Sequence, residues 1–201
     1  MEQELTVKQA AQARRSIRKY TDEAISYQTI HDLVTTAGLA PSPWNLQPWR
    51  IIAVKDAETK AKLMGAAYGQ PQVGASAVTF VIYTDMTDTL DNVENTIHPG
   101  MKDREAEVAA DMRKTFGAFE EADLHWWGKA QGYTFMAFLM LAAQAEGYAT
   151  SGMLGFQPEK VKELFGLPDH VQIPALVAMG RPAEEGFPHH RHSFDDFAKI
   201  V

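Results

Sequence analysis

Cysteine is missing altogether from the 201 residues. Its absence excludes disulfides, thiolate nucleophiles and cysteine-ligated zinc or iron–sulfur centres. Long apolar runs are missing too. No stretch reaches the roughly 20 residues of a membrane span, and the opening Met1-Glu2-Gln3-Glu4 has neither the basic nor the apolar part of a secretory signal. Positive charge is in deficit: 19 Lys and Arg against 26 Asp and Glu leave a net charge of −7, which disfavours wholesale binding to nucleic acid or to an anionic membrane. The chain also lacks a Gly-x-Gly-x-x-Gly, a phosphate-loop Gly-Lys-Ser/Thr and a serine nucleophile turn in triad order, so no dedicated Rossmann half, phosphate loop or hydrolase elbow is present. There is no internal repeat and no low-complexity segment. The expectation is a soluble cytoplasmic protein with no nucleic-acid or membrane partner.

Hydrophobic residues make up 45% of the chain, enough for one sizeable core in a single domain spanning 1–201. Leu5 to Arg14 reads as a short helix. Ser26 caps a second one with Ile30, Leu33, Val34 and Ala37 on one face and Gly38 near its end. Ile51 to Val54, Val78 to Tyr83 and Ile173 to Met179 are short β-rich apolar runs that read as buried strands, and a helix holding Lys60 to Tyr68 connects the first two. Trp126 to Glu146 is apolar almost all round, which predicts a long buried central helix ended by Gly147. Between them, Asp85 to Asp123 reads as an insert, with a break at Asn95 to Gly100 and an exposed charged helix over Lys102 to Lys114. The tail from about 186 to 201 has little core material of its own, yet carries Phe194, Phe197, Ile200 and Val201, as an arm laid on another surface would. These elements predict an α+β fold with helices around a small mixed β-sheet.

Two segments carry most of the chemistry. Arg14-Arg15-Ser16-Ile17-Arg18-Lys19-Tyr20 sets two arginines four residues apart with a hydroxyl between them, a set suited to a phosphate and the polar edge of a heterocycle. One short helix later comes Ala40-Pro41-Ser42-Pro43-Trp44-Asn45-Leu46-Gln47-Pro48-Trp49, in which three prolines restrict the backbone that presents Ser42, Asn45 and Gln47. A basic cluster near a chain start is usually a solvated face and a Pro/Ser/Asn segment usually a loop. Two large aromatics, Trp44 and Trp49, inside one turn argue instead that it packs on something.

At these residues the chain resembles the nitroreductase family of FMN-dependent oxidoreductases. That family carries Arg-Arg-Ser-x-Arg/Lys-x-Tyr/Phe near its start and Pro-Ser-x-x-Asn-x-Gln-Pro-Trp about one helix later. The resemblance implies a nitroreductase-like fold and a domain-swapped type of homodimer with each flavin at the interface. It also implies hydride transfer from NADH or NADPH through flavin N5 to an electron-poor small-molecule acceptor such as a nitroaromatic or a quinone. It places Arg14, Arg15 and Ser16 at the phosphate and ribityl end, and Arg18 near the pyrimidine edge, where a fixed cation favours two-electron chemistry. Pro41, Ser42, Trp44, Asn45 and Gln47 come from the partner chain, with Trp44 on the substrate side. Thr150 to Phe156 resembles the family's loop against the flavin, and Leu154 and Gly155 sit within it. Many members have Glu where Leu154 stands. Arg191 falls where the family has a phosphate-binding Arg, and His189 where a Lys is common. Gln70 and Gln72 lie where an amide often faces the flavin carbonyls.

Phe116, Phe119 and Trp126 are candidates for an aromatic lid on the substrate side, whereas Trp127 reads as packing. His189, His190 and His192 form a loop cluster near Asp195 and Asp196, and no metal is expected there. Two other functions stay open at this level: a flavin-binding sensor without useful turnover, and a flavin-destroying or dehalogenating enzyme on the same scaffold.

Overall fold

The computed structural model describes residues 5–201, so Met1 to Glu4, read above for a signal, lie outside the described residues. Three of the first helices start where a side chain satisfies backbone N–H groups that have no partner within the helix. Thr6 and Gln9 form a reciprocal capping box at α1 (Val7–Ala13). Ser26 Oγ accepts from Thr29 N–H at 2.9 Å to open α2 (Tyr27–Ala37), and Asp56 accepts from Thr59 N–H at 2.7 Å to open α3 (Ala57–Ala66).

Four strands, β1 (Trp49–Val54), β2 (Val78–Thr84), β3 (Ala149–Met153) and β4 (Gln172–Gly180), form one sheet in the order β1-β2-β4-β3. Every strand pair is antiparallel. The sheet therefore differs from the mixed one expected, and among the described residues the parallel pairing is an isolated bridge between Ser16 and Thr150. Successive residues of the central strands serve opposite faces. Val78, Phe80, Ile82, Val177 and Met179 pack with α2 residues and Phe135, Leu139 and Ala143 in one core cluster. Val81, Ile173, Leu176 and Ala178 pack on the other side with Leu63, Ala66 and Val161. The second layer is built from α3, α4 (Pro71–Ala75) and α8 (Pro158–Phe165).

The insert after β2 holds α5 (Met86–Asp91), two 3₁₀ turns and α6 (Glu105–Phe116). It closes its own small core of Met86, Val93, Ala109, Met112 and Phe116 over Leu46 from the Pro41–Trp49 turn. The charged helix expected at Lys102 to Lys114 is thus amphipathic and begins after a 3₁₀ turn. A last short helix, α9 (Phe194–Phe197), lies in the tail, where Phe187, Phe194, Phe197, Ile200 and Val201 are all exposed.

Helix α7 (Glu121–Ala145) is the long central helix. Its sequence is apolar on nearly every side, but within one chain only Gly128, Gly132, Phe135, Leu139 and Ala143 are buried. These lie three or four residues apart and so form one stripe. Among the described residues, no helix is long and apolar enough to cross a membrane. The stripe lies unusually close to its neighbours. A Cβ at Gly132 would sit 2.5 Å from Pro174 Cγ and 3.0 Å from Thr84 Cγ2, and one at Gly128 would sit 2.4 Å from Met86 Cγ. Gly132→Ala is predicted to lower stability by about 1–3 kcal/mol through overpacking, even though alanine improves helix propensity by about 1 kcal/mol. Urea unfolding measures the outcome, and unchanged or raised stability would show that the helix lifts off the sheet at no cost.

Candidate functional site

The basic run is held as an extra edge on the sheet. Ser16 bridges to Thr150 of β3, Ile17 N–H donates to the Thr150 carbonyl at 3.2 Å, and the Ile17 side chain is buried. Tyr20 fixes the far end. Its hydroxyl lies 2.7 Å from the Ile17 carbonyl oxygen and 3.2 Å from that of Ala178, and its ring lies against Gly180, where a Cβ would meet it at 2.9 Å. Burial raises the Tyr20 phenol pKa, so the hydroxyl stays a donor. With Ile17 turned inward, its neighbours Ser16 and Arg18 are exposed.

Beside this edge is a cavity of about 570 Å³ lined by Arg14, Ser16, Gly152, Met153 and Leu154 on one side and by α7 residues on the other. That size falls within the range of small-molecule sites. The α7 wall is Tyr133, Met136, Ala137, Met140 and Leu141. Its Met136 and Met140 sulfurs lie against Gly152, where an added Cβ would be 3.6 and 3.5 Å from them. Burial raises the Tyr133 phenol pKa, leaving a neutral donor in an otherwise apolar wall.

The polar end of the cavity carries uncompensated positive charge. Arg14 Nη1 is buried and has no hydrogen-bond partner among the described residues. Burial holds its pKa below the ordinary guanidinium value, and the charges of Arg191 and Arg15 push it further in the same direction. None of these three arginines forms an ion pair among the described residues. A buried charged donor with no acceptor is costly unless something supplies one. The Thr150 hydroxyl, on the residue bridged to Ser16, is likewise buried without a partner.

The second predicted wall is a strained turn. Trp44, Asn45 and Gln47 have φ of 58°, 56° and 44°, a left-handed conformation that costs of order 1–3 kcal/mol for each such residue. Burial of Leu46 and packing of Trp49 on Phe135, with ring centroids 5.6 Å apart, hold the turn from behind. Ser42 Oγ accepts from Gln47 N–H at 3.0 Å, Gln47 Nε2 donates to Asn45 Oδ1 at 2.9 Å, and Asn45 Nδ2 donates to the Thr96 carbonyl of the insert at 2.8 Å. Trp44 is left half exposed at 49%. This wall does not line the Arg14 cavity of its own chain. Gln47 lines a separate polar cavity of about 330 Å³ with Arg50, Asp88, Asn92, Asn95 and Thr96.

The sequence profile of the nitroreductase family matches residues 11–181. The chain belongs to that family. Among its relatives, the NADH dehydrogenase of Thermus thermophilus is 43% identical over 189 residues, covering 93% of this chain and 92% of the relative. YdgI of Bacillus subtilis, named among the NAD(P)H nitroreductases, is 31% identical over 198 residues, covering 92% of this chain and 93% of its own. A protein of Exiguobacterium sibiricum classed as a nitroreductase and solved in complex with FMN has a TM-score of 0.89 at 26% identity, covering 100% of this chain and 99% of that one.

Several of the residues singled out in the sequence lie close to one another in the fold. Arg14, Ser16 and Leu154 share the cavity, with Leu154 exposed at its mouth, and Arg191 is close enough to Arg14 to affect its charge. Gln70 meets Gly155 directly, its Nε2 donating to the Gly155 carbonyl at 2.6 Å. Arg18 is exposed, and its guanidinium makes no hydrogen bond or ion pair among the described residues.

Arg15, His189 and Phe116 make contacts within their own chain. Arg15 turns back on α1, where Nη1 lies 2.7, 3.1 and 3.0 Å from the carbonyl oxygens of Gln12, Ala13 and Arg14, the favoured place for a cation at a helix C-terminus. His189 joins it there, with Nε2 2.7 Å from the Arg14 carbonyl oxygen. Phe116 is only 3% exposed and packs at 5.1 Å on Trp127, so it belongs to the core of the insert. Of the aromatic candidates, Phe119 and Trp126 remain exposed.

Residue-by-residue reading missed the α7 wall, Tyr133 above all. The available signal was the second apolar stripe of a helix that has no second core to fill.

Inorganic phosphate at about tenfold its dissociation constant is predicted to stabilise the cofactor-free chain by about 1.4 kcal/mol, and Arg14→Met to abolish that gain. Loss of an unpaired buried cation costs the phosphate-free chain little. Thermal unfolding with and without phosphate checks both, and an Arg14→Met chain that responds like wild type would remove Arg14 from the anion site.

Proposed function

We propose that this protein is an FMN-dependent oxidoreductase that takes hydride from NADH or NADPH and delivers it to electron-poor acceptors such as nitroaromatics or quinones. The observation that carries this reading is the buried Arg14 Nη1, without a hydrogen-bond partner among the described residues at the polar end of a cavity whose other walls are largely apolar. That donor set suits a phosphate tail joined to a flat heterocycle, and the names of the relatives and the FMN complex of the structural neighbour support the same cofactor and donor. FMN, when bound, supplies the two-electron chemistry that no side chain here performs.

The chain supplies charge, orientation and shielding. Arg14 and Arg191 provide countercharge for the phosphate, and Ser16 a hydroxyl beside it. The apolar α7 wall and Leu154 exclude water from one side of the cofactor. The Arg18 guanidinium, without a hydrogen bond or ion pair among the described residues, is available as a permanent cation at the edge where negative charge accumulates on reduction.

The second wall comes from a second copy of the chain in this reading. Two observations favour it. Pro41, Ser42, Trp44, Asn45 and Gln47 are rigidly built yet separate from the Arg14 cavity of their own chain. The chain also exposes large apolar residues on α7, Trp126 and Phe138, and along the tail, a surface that an isolated soluble chain rarely presents. The arm at about 186–201 then packs on the partner.

The visible absorption of the purified protein tests the cofactor, and its bleaching on anaerobic addition of NADH or NADPH tests the donor. A colourless protein that takes up no FMN would end this reading. Steady-state turnover with a quinone separates the enzyme from a flavin-binding sensor, because fast turnover fits only the former. Arg18→Ala should retain FMN while kcat falls about 10²-fold, the scale on which a single charge-stabilising donor acts. Unchanged kcat would take Arg18 out of the mechanism.

A further inference from the structure

Behind the cavity mouth lies a short chain of amides that the proposed chemistry does not use directly. Gln72 is a polar side chain only 4% exposed, buried on α4. Its Nε2 lies 3.0 Å from Gln70 Oε1 and 3.3 Å from Met153 Sδ at the end of β3. Gln70, at the N-cap of α4, then donates its own Nε2 to the Gly155 carbonyl at 2.6 Å. The packing there leaves little slack. A Cβ on Gly155 would stand 3.5 Å from Gln70 Nε2, and Gln157 N–H donates to the Ala66 carbonyl at 2.8 Å just beyond.

An isolated glutamine amide can turn over and exchange its donor and acceptor ends. Here the two ends of Gln70 face different partners. One is the donor Gln72, and the other is the acceptor carbonyl of Gly155. Only one orientation satisfies both: the Gly155 carbonyl can only accept, and Gln72, its amide buried against Met153, donates from the other side and reinforces that choice. With the Gly155 carbonyl pulled toward α4, the backbone of Leu154 and Gly155 is held at the mouth of the cavity that Leu154 lines.

We propose that Gln72 is a positioning residue of the cofactor cavity, which sets the orientation of the Gln70 amide and thereby fixes the Leu154–Gly155 backbone that flanks the cofactor. The inference rests on the proposed FMN site. It assigns Gln72 a role apart from direct contact with the flavin, since its side chain is buried behind Gln70.

Two substitutions separate positioning from mere core packing. Gln72→Met keeps length and apolar bulk and removes the donor. Gln72→Glu removes the donor and adds an acceptor, so Gln70 must turn over and set its oxygen against the Gly155 carbonyl. Hydrogen exchange at Leu154 to Phe156 in the cofactor-free chain is expected to rise in Gln72→Met and rise further in Gln72→Glu. FMN affinity is expected to fall by about fivefold in Gln72→Met, the worth of one neutral hydrogen bond, with a shifted midpoint potential of the bound flavin. If Gln72→Glu does not fold, Gln72→Met alone carries the test. Wild-type loop exchange, FMN affinity and potential in Gln72→Met, with only a lowered melting temperature, would overturn the proposal and make Gln72 a core residue. Wild-type protein that binds no FMN would instead overturn the functional reading on which it rests.

Discussion

Helix α7 lies so close to the sheet and to α5 that Gly132 and Gly128 leave no room for a side chain. The rest of the molecule depends on that approach. With one stripe pressed against β2 and β4, Phe135 and Leu139 reach the central core and Phe135 meets Trp49 at the end of the strained turn. The same approach turns the other apolar stripe outward. Part of it, from Tyr133 to Leu141, becomes a wall of the cavity, and Phe138 and Trp126 remain exposed. One helix thus joins the core, the cavity and an exposed apolar surface.

Two features of the site cost stability in the single chain. A buried guanidinium nitrogen at Arg14 lacks an acceptor, and three residues of the Pro41–Trp49 turn are held in left-handed backbone without being glycine. Both are local departures from the usual rules of backbone conformation and polar satisfaction, and such departures gather at functional sites. In the proposed function they have complementary explanations. The cation awaits a phosphate, and the turn presents polar groups to the Arg14 cavity of a second copy.

Much of this was legible in the sequence, for identifiable reasons. β2 and β4 are buried on both faces and so read as continuous β-rich apolar runs, and the edge strand β1 reads the same way although its middle residues are only partly buried and Ala53 is exposed. Ala-Thr-Ser-Gly-Met has small and polar residues and no alternation, so β3 carries no strand signal of its own; it is a strand through its pairing with β4 and with Ser16. α8 went unread although Pro158 opens it and Gly166, at φ 62°, closes it. For α7 the composition was right and the inference incomplete, since residues apolar all round can be buried by a second chain as well as by the first. Within the site, the motif led to Arg14, Ser16 and Gln70, whereas Arg15 and its neighbour differ only in direction. Spacing alone does not reveal that one faces the cavity and the other the carbonyls of α1. The three prolines pointed to a rigid turn, yet the strain resides in the residues between them.

The central claim is that each cavity is completed by the turn of a second chain, and mixing two defective variants tests it most directly. One variant carries Arg14→Met and the other Ser42→Val with Gln47→Leu, so that alone each lacks one wall in every site. If the walls come from different chains, a mixed dimer contains one site with both walls intact, and FMN binding returns on mixing in one of its two sites. If both walls act within a single chain, every site in the mixture stays defective, and no return of FMN binding in demonstrably mixed dimers would contradict the account.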